Sequence, residues 1–389
     1  MINPDAGNLM RSFRPLPFML LVIINSLFMI KYGVRFIGPH AYVLAIIMLI
    51  GYMVLLFTGP VIFNKLSWRA SAVFFITLVF CSIVFNILVD ASIKPESIKV
   101  DRWSAITSWD KKILHGEYPY EARTHLGGIV SGLPGLFIIT LPFYFMGDVG
   151  YFQAATLLLF GLVCAMVLKA DKRVPAFLLF FLSIGFLWEI FVRSEIGGNA
   201  VITILSMIIL ERYRGRQTVK TMLLCGAILG YLMAMRTVFL VPCAIYLVRW
   251  LDFKKIGRTA AFAITSLTVF CLLLFPFIAW DMHKFLSNNP FHEQSDKMPL
   301  GLAACFVVGA VVCGFFARSL ERAVLVSGYV LFGLIGSGFL IKIFRAGFTQ
   351  AFWGSGFDIS YFMVALPFLV LSLFPLLRSS TGEVNKSYG

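Results

Sequence analysis

Residues 260–275, AAFAITSLTVFCLLLF, contain no charged side chain and no alternation of polar with apolar residues. Residues 177–188, FLLFFLSIGFLW, have the same character. In lipid, every main-chain polar group must find a partner within the protein, which a helix provides within its own length. Strands of a transmembrane barrel would instead alternate in segments of about ten residues. The two runs therefore predict membrane-spanning helices.

The composition of the whole chain agrees with this interpretation. Of 389 residues, 59% are hydrophobic and 13% are charged, with a mean hydropathy of +0.88, whereas soluble domains carry roughly 25% charged residues. The seven cysteines lie mostly in apolar runs and lack metal-ligand spacing, so no disulfide framework is predicted. We expect an all-α, polytopic transmembrane helical bundle in which residues 1–389 form a single transmembrane domain.

About twelve apolar segments are long enough, or nearly so, to cross a hydrocarbon core of roughly 30 Å. The first is interpreted as an uncleaved helix, because no clear small-residue cleavage site accompanies it. The predicted spans are 16–30, 41–63, 70–89, 151–168, 175–192, 199–211, 221–235, 237–250, 260–280, 300–317, 323–341 and 361–377.

The connections between these spans predict the orientation of the chain. The net charge of +14 could suggest nucleic acid, but its distribution indicates topology, so no nucleic-acid partner is predicted. Loop 90–130 has balanced charges and is expected on the non-cytoplasmic side of the plasma membrane, which would be the inner membrane in a bacterium. The basic connections, expected in the cytoplasm, are 65–69, 169–173, 211–220, 249–258 and 318–322.

One apolar segment, 133–146, does not fit this alternation of sides. It is short and carries Pro134 and Pro142, which favours a re-entrant or juxtamembrane helix that begins and ends outside. A distorted full span remains the alternative.

The loop 90–130 is the longest connection, and its Trp, Tyr, Ile and Pro content argues for order, with juxtamembrane elements inserted in it. Its aromatic residues are suited to the membrane interface. Anchoring at that interface would explain the aromatic residues but not the clustered acids.

The loop also carries motifs in a particular order. Asp101 comes first, and the turn Gly116-Glu117-Tyr118-Pro119-Tyr120 follows. Downstream lie an apolar stretch that opens with Leu133-Pro134 and a span that ends in Arg193-Ser194-Glu195. Over roughly residues 85–250 this order resembles the GT-C superfamily of membrane glycosyltransferases, especially its polyprenyl-phosphate-mannose-dependent members.

The chain departs from the usual pattern of that superfamily in two respects. Two additional spans precede the acidic loop, and the second acid is Glu195 rather than an aspartate. The resemblance implies a catalytic role for Glu195 in positioning the acceptor, assisting the base or binding a metal. A solvated loop acid is the alternative.

The resemblance also implies that Asp101 is the catalytic base. Transfer of a sugar from a lipid phosphate to an acceptor hydroxyl needs a base near the attacking oxygen. An ordinary ion pair of Asp101 with Arg102 or Lys99 is the alternative.

Cationic residues near the outer leaflet are expected to hold the leaving phosphate. Arg236 is the strongest candidate, because it stands alone between two apolar runs; snorkelling to lipid headgroups is the alternative. Arg193 is a second candidate, and pairing with Glu189 on the same helical face is its alternative.

The remaining predicted substrate-binding residues lie in the loop. His115 could act in proton transfer, although a lone loop histidine is more often solvated. No metal and no cofactor are predicted. The loop residues in this set are Arg102, His115, Tyr118 and Tyr120.

The leading hypothesis is a membrane glycosyltransferase that moves a hexose, such as mannose, from a polyprenyl-phosphate-sugar donor to a glycan or glycolipid acceptor at the outer face. A lipid-linked glycan polymerase or ligase is one alternative. A secondary transporter is another, but transporters tend to show internal repeats and polar residues at mid-membrane. Here the charges gather at the predicted outer ends of spans.

Overall fold

The computed structural model describes residues 14–214, 218–250, 256–295, 299–354 and 356–377. Over these residues the chain is helical and contains no β-strand, with one isolated bridge between Arg123 and Ile129. The all-α prediction is confirmed for this part of the chain.

Within the described ranges, six helices are long and apolar enough to cross a membrane. They have 18 to 27 residues and a mean hydropathy between 1.3 and 2.7, and at about 1.5 Å per residue they reach roughly the thickness of a bilayer core. The described chain is therefore that of an integral membrane protein. The six helices are Pro15–Gly33, His40–Asn64, Trp68–Ser92, Ile196–Tyr213, Ile256–Trp280 and Leu320–Ala346.

Shorter apolar helices account for most of the remaining predicted spans. Their lengths fall between 10 and 17 residues, so the count of about twelve crossings stays a prediction. The segment 133–146 is one of them, a helix of 12 residues with Pro142 inside it. These helices are Pro134–Phe145, Tyr151–Val167, Val219–Met233, Thr237–Trp250, Leu300–Phe316 and Ile359–Ser372.

The predicted span 175–192 is not one continuous helix. It consists of Ala170–Phe181 and Ile184–Val192, which are bent by 57° relative to each other. Side chains of two earlier helices satisfy the exposed main chain: Asn25 accepts from Ile184 N at 2.6 Å, and Tyr52 donates to Leu182 O at 3.1 Å. Ser183 caps the second helix by accepting from Phe186 N. Broken helices are tolerated in membranes where such partners exist.

The described residues form two compact units. Unit 1 comprises those within Met1–Lys94, Gly150–Val201 and Gly328–Leu377, and unit 2 comprises those within Pro95–Val149 and Ile202–Ser327. The loop 90–130 therefore belongs to unit 2 from Pro95 onward. The prediction of a single transmembrane domain stays a prediction.

Close helix packing in unit 2 depends on small residues. Helix Val219–Met233 packs along Ile256–Trp280, and Gly226 and Gly230 lie at the contact. A Cβ on Gly226 would lie 2.7 Å from Phe262 O, and one on Gly230 would meet Ser266 O. Glycines four residues apart let two helix backbones approach in this way in membranes.

A buried ion pair and a hydrogen bond join three further helical segments within unit 2. Arg249 Nη2 lies 2.7 Å from Glu211 Oε2, and Arg249 Nη1 donates to Ala317 O. The Arg249 side chain is almost completely buried. Ile196–Tyr213, Leu240–Trp250 and Leu300–Phe316 are thereby held together where the sequence predicts the cytoplasmic side.

Candidate functional site

The predicted site residues are divided between the two units. Arg193 and Glu195 belong to unit 1, whereas the loop residues and Arg236 belong to unit 2.

Asp101 immediately precedes a loop helix, Arg102–Leu114. Aspartates in this position commonly accept a hydrogen bond from the first turn, but Asp101 makes no such cap. Its Oδ2 instead accepts from the Thr124 hydroxyl at 2.9 Å. The partner is thus a neutral group rather than Lys99 or Arg102, and Asp101 is only half-buried. A carboxylate held in this way is oriented and remains accessible.

The partner hydroxyl is itself fixed by a tight turn. Thr124 Oγ1 accepts from Gly128 N at 2.9 Å, and Thr124 N donates to Gly128 O at 3.0 Å. A Cβ on residue 128 would lie 2.7 Å from Asp101 Oδ2. Only glycine therefore fits against the carboxylate without displacement.

The sequence interpretation missed His125, which lies beside Asp101. Its Nδ1 is 2.7 Å from Ser104 Oγ, and its Nε2 is 2.9 Å from Ile98 O. Ser104 Oγ is also 3.0 Å from Asp101 O. His125 lies in the segment Thr-His-Leu-Gly-Gly. This segment has no helical or strand periodicity, so its sequence gives no sign that His125 lies beside Asp101.

Tyr118 and Tyr120 pack inside the loop region. Their exposed fractions are 4% and 0%, and their hydroxyls donate to Phe277 O and Gly132 O. Burial, followed by the charges of Asp281 and Glu121, raises the pKa of Tyr118 to about 12. These contacts show a packing role for both tyrosines, and their substrate-binding role stays a prediction.

The tyrosines belong to an aromatic cluster. Trp109 of the loop helix stacks on Phe137, with ring centroids 4.2 Å apart, and is 2% exposed. Trp109 and the two tyrosines thus pack against protein, where the sequence suggested anchoring at the membrane interface. The buried members are Ile106, Trp109, Tyr118, Tyr120, Ala122, Val130, Phe137, Val149, Leu274, Phe277 and Phe285.

Asp110, next to Trp109, is completely buried. Among the described residues, neither carboxyl oxygen has a hydrogen-bond partner. Burial raises the pKa of Asp110 to about 7, because the charged form loses its hydration without compensation. The surroundings of Asp110 therefore oppose its ionisation.

The other loop candidates lie at the two ends of the loop helix. Arg102 is its first residue and is half-buried. His115 follows its last turn and is exposed, with Nδ1 2.7 Å from Lys111 O. Glu117 pairs with Lys112 at 2.7 Å, and that hydrogen bond and charge lower the Glu117 pKa.

Arg236 lies in a short extended connection between Val219–Met233 and the 3₁₀ turn Thr237–Phe239. Its exposed fraction is 4%, which does not match a side chain that snorkels to headgroups. The preceding residues bind the start of helix Pro134–Phe145: Gly135 N donates to Ala234 O at 2.8 Å, and Leu133 N to Met235 O at 3.2 Å. Two motifs distant in sequence therefore meet beside Arg236.

Gln294 binds the residue that follows Arg236. Its Oε1 accepts from Thr237 N at 2.9 Å and from Thr237 Oγ1 at 2.8 Å, and its Nε2 donates to Ser131 O. One side chain thus ties the residue after Arg236 to the segment before Leu133.

Arg193 and Glu195 lie in a polar interior region of unit 1. Arg193 is 2% exposed, Glu195 is 1% exposed, and Arg193 has a positive φ of 53°. Arg193 Nη2 donates to Asp90 O and Ile93 O, at 2.8 and 2.9 Å. Glu189 accepts from Ser194 Oγ and Gly197 N. Burial of Glu195 contradicts the alternative that it is a solvated loop acid.

In the described part of the chain, no group of three or more His, Cys, Asp or Glu side chains is arranged to hold a metal ion. Comparison of the chain with protein-family models, curated proteins and solved structures gives no match.

Proposed function

We propose that the chain is a GT-C-type membrane glycosyltransferase that transfers a hexose from a polyprenyl-phosphate-sugar donor to a glycan or glycolipid acceptor. The observation that carries the proposal is the oriented carboxylate of Asp101, held by Thr124 at the start of the loop helix. The proposal places this loop on the non-cytoplasmic side of a membrane that the chain crosses about twelve times.

In the proposed reaction, Asp101 accepts the proton of an acceptor hydroxyl. The acceptor oxygen then bonds to the anomeric carbon of the donor sugar while the bond from that carbon to the phosphate oxygen breaks. The lipid phosphate leaves with the bonding electron pair. Proton, sugar and leaving group are thereby all accounted for without a cofactor.

Arg236 has the role of stabilising the departing phosphate. A guanidinium can grip two phosphate oxygens at once, and removal from water strengthens such contacts. Its burial and its location beside the start of helix Pro134–Phe145 support this role. The buried aromatic cluster supports the proposal because it gives the loop a defined conformation in which catalytic side chains can be held in place.

Transfer can be tested directly with purified protein in lipid nanodiscs. Labelled polyprenyl-phosphate mannose and polyprenyl-phosphate glucose would be supplied with membrane glycolipid extracts. Labelled glycolipid should form with one of these donors. Absence of both hydrolysis and transfer with both donors, in every combination with the extracts, would refute the proposal. Asp101→Asn serves as the negative control.

Secondary transport is the second candidate, and one observation favours it. The broken helix Ala170–Phe181 and Ile184–Val192 resembles the discontinuous helices that bind substrates in transporters. Counterflow of labelled sugars in proteoliposomes, without any covalent product, would favour transport over transfer.

A further inference from the structure

Two consecutive residues, Thr124 and His125, bind Asp101 and the segments that flank it, respectively. Thr124 binds the carboxylate directly, at 2.9 Å. His125 binds a main-chain carbonyl before Asp101 and a side-chain hydroxyl after Asp101. The ring reaches Ile98, which precedes Asp101, and Ser104, which follows it.

The hydrogen-bond directions are partly determined by chemistry. A carbonyl oxygen only accepts, so Nε2 of His125 carries a proton and donates to Ile98 O. The Ser104 hydroxyl can donate or accept, and its oxygen also accepts from His125 N at 3.2 Å. The imidazole therefore joins the segment that enters the loop helix to the first turn of that helix.

The turn that carries both residues is closed at its base. Arg123 and Ile129 form a bridge, and Gly127 N donates to Thr124 O at 2.9 Å. The ring of Trp103 lies 5.1 Å from that of His125. Thr124 cannot move far from Asp101 while His125 is bound to both flanking segments.

We propose that His125 is a positioning residue for Asp101: by bridging Ile98 and Ser104, it keeps the carboxylate at its hydrogen bond with Thr124. This inference rests on the proposed function, in which Asp101 is the base. His125 acts through Asp101 and does not itself accept the proton of the acceptor hydroxyl.

A double-mutant cycle tests this dependence. In the wild-type background, His125→Ala should lower kcat about 10- to 100-fold, because small misplacements of a reacting group are costly, with donor KM changed less than about 2-fold. In the Asp101→Asn background, the same substitution should cause no further loss. Equal losses in both backgrounds, or a wild-type kcat in His125→Ala, would overturn the inference.

Conservative variants separate the two ring contacts. His125→Asn keeps a polar atom near Ser104, and His125→Gln keeps a donor near Ile98 O, so each should recover part of the kcat lost in His125→Ala. His283→Ala is the matched control, because His283 is an exposed histidine on another helix of unit 2. It should retain wild-type kcat, and a loss as large as that of His125→Ala would count against a specific role.

Amide hydrogen exchange gives a readout that does not depend on activity. His125→Ala should accelerate exchange in residues 99–105, with little change at 282–287. If wild-type protein transfers no sugar, the proposed function fails while this measurement still decides the positioning role. Unchanged exchange at 99–105 would refute that role.

Discussion

Arg193 Nε lies 3.6 Å from the carboxylate of Asp90, and both side chains are buried. Two further hydrogen bonds run from the same guanidinium to Asp90 O and Ile93 O. Arg193 thus ties the end of helix Ile184–Val192 to the end of helix Trp68–Ser92. Arg193 therefore has a structural role, whereas the sequence indicated that it was a candidate phosphate ligand.

Removing this arginine should destabilise the protein strongly. Arg193→Ala would leave a buried carboxylate without its opposite charge, at a cost of about 3–5 kcal/mol. Thermal unfolding in detergent should show a lower midpoint, and Arg193→Ala combined with Asp90→Ala should regain part of the loss. Arg69→Ala, at an exposed arginine of unit 1, should melt like wild type. An unchanged midpoint for Arg193→Ala would contradict the structural role.

Substituting the predicted base should abolish most transfer. A general base contributes roughly 10²- to 10⁴-fold, so Asp101→Asn should lose activity by that order while remaining folded and inserted. Asp110→Asn provides the comparison in the same loop and should retain far more activity. Loss confined to Asp110→Asn would move the base nine positions along.

Two substitutions of Arg236, to lysine and to alanine, should differ in their effect on donor use. Lysine keeps the charge and loses the planar fork, so Arg236→Lys should raise donor KM or lower kcat less than Arg236→Ala does. Initial rates over a range of polyprenyl-phosphate-sugar concentrations give both constants. Wild-type values in both variants would remove Arg236 from the phosphate site.

Topology can be tested at an exposed position of the loop. The side chain of Glu117 is 59% exposed, so Glu117→Cys should react with a membrane-impermeant maleimide in intact cells, above the background of the native cysteines. Lys65→Cys, in a basic connection, should react only after permeabilisation. The reverse pattern would place the loop in the cytoplasm and exclude the proposed orientation.

The buried carboxyl of Asp110 predicts a pH dependence of stability. Its pKa is raised from 3.8 to about 7 in the folded protein, so folding favours the protonated form. The stabilising contribution is complete below about pH 4 and falls as pH rises to about 7, by on the order of 4 kcal/mol. Unfolding midpoints between pH 4.5 and 8.5 should decline less steeply in Asp110→Leu. Parallel curves for the two proteins would show that Asp110 does not titrate in this range.

Sequence patterns located the helices well because apolar runs of this length have few alternatives in a membrane protein. Each predicted span contains a helix. The break after Leu182 was missed, although Ser183 offered a helix-capping signal. Such an apolar run predicts one continuous helix, because the side chains that stabilise the break, Asn25 and Tyr52, are distant in sequence.

The candidate site could be predicted only in part. Asp101 was identified from the order of motifs in the loop, and Arg236 was identified as a single charge between two apolar runs. Thr124 lies 23 residues after Asp101, and Gln294 lies 57 residues after Thr237, across segments without a regular period. Such partners depend on how loops fold back, which local patterns do not encode.

The break after Leu182 also constrains biogenesis. Its main-chain groups are satisfied by Asn25 and Tyr52, on helices that are synthesised earlier. During co-translational insertion, the segment 170–192 would therefore enter the bilayer with unpaired main-chain polar groups, unless the two earlier helices are already inserted next to it. We therefore expect the first helices of the chain to act as assembly partners for a later one, so that a substitution at Asn25 is seen first as degradation of newly made protein.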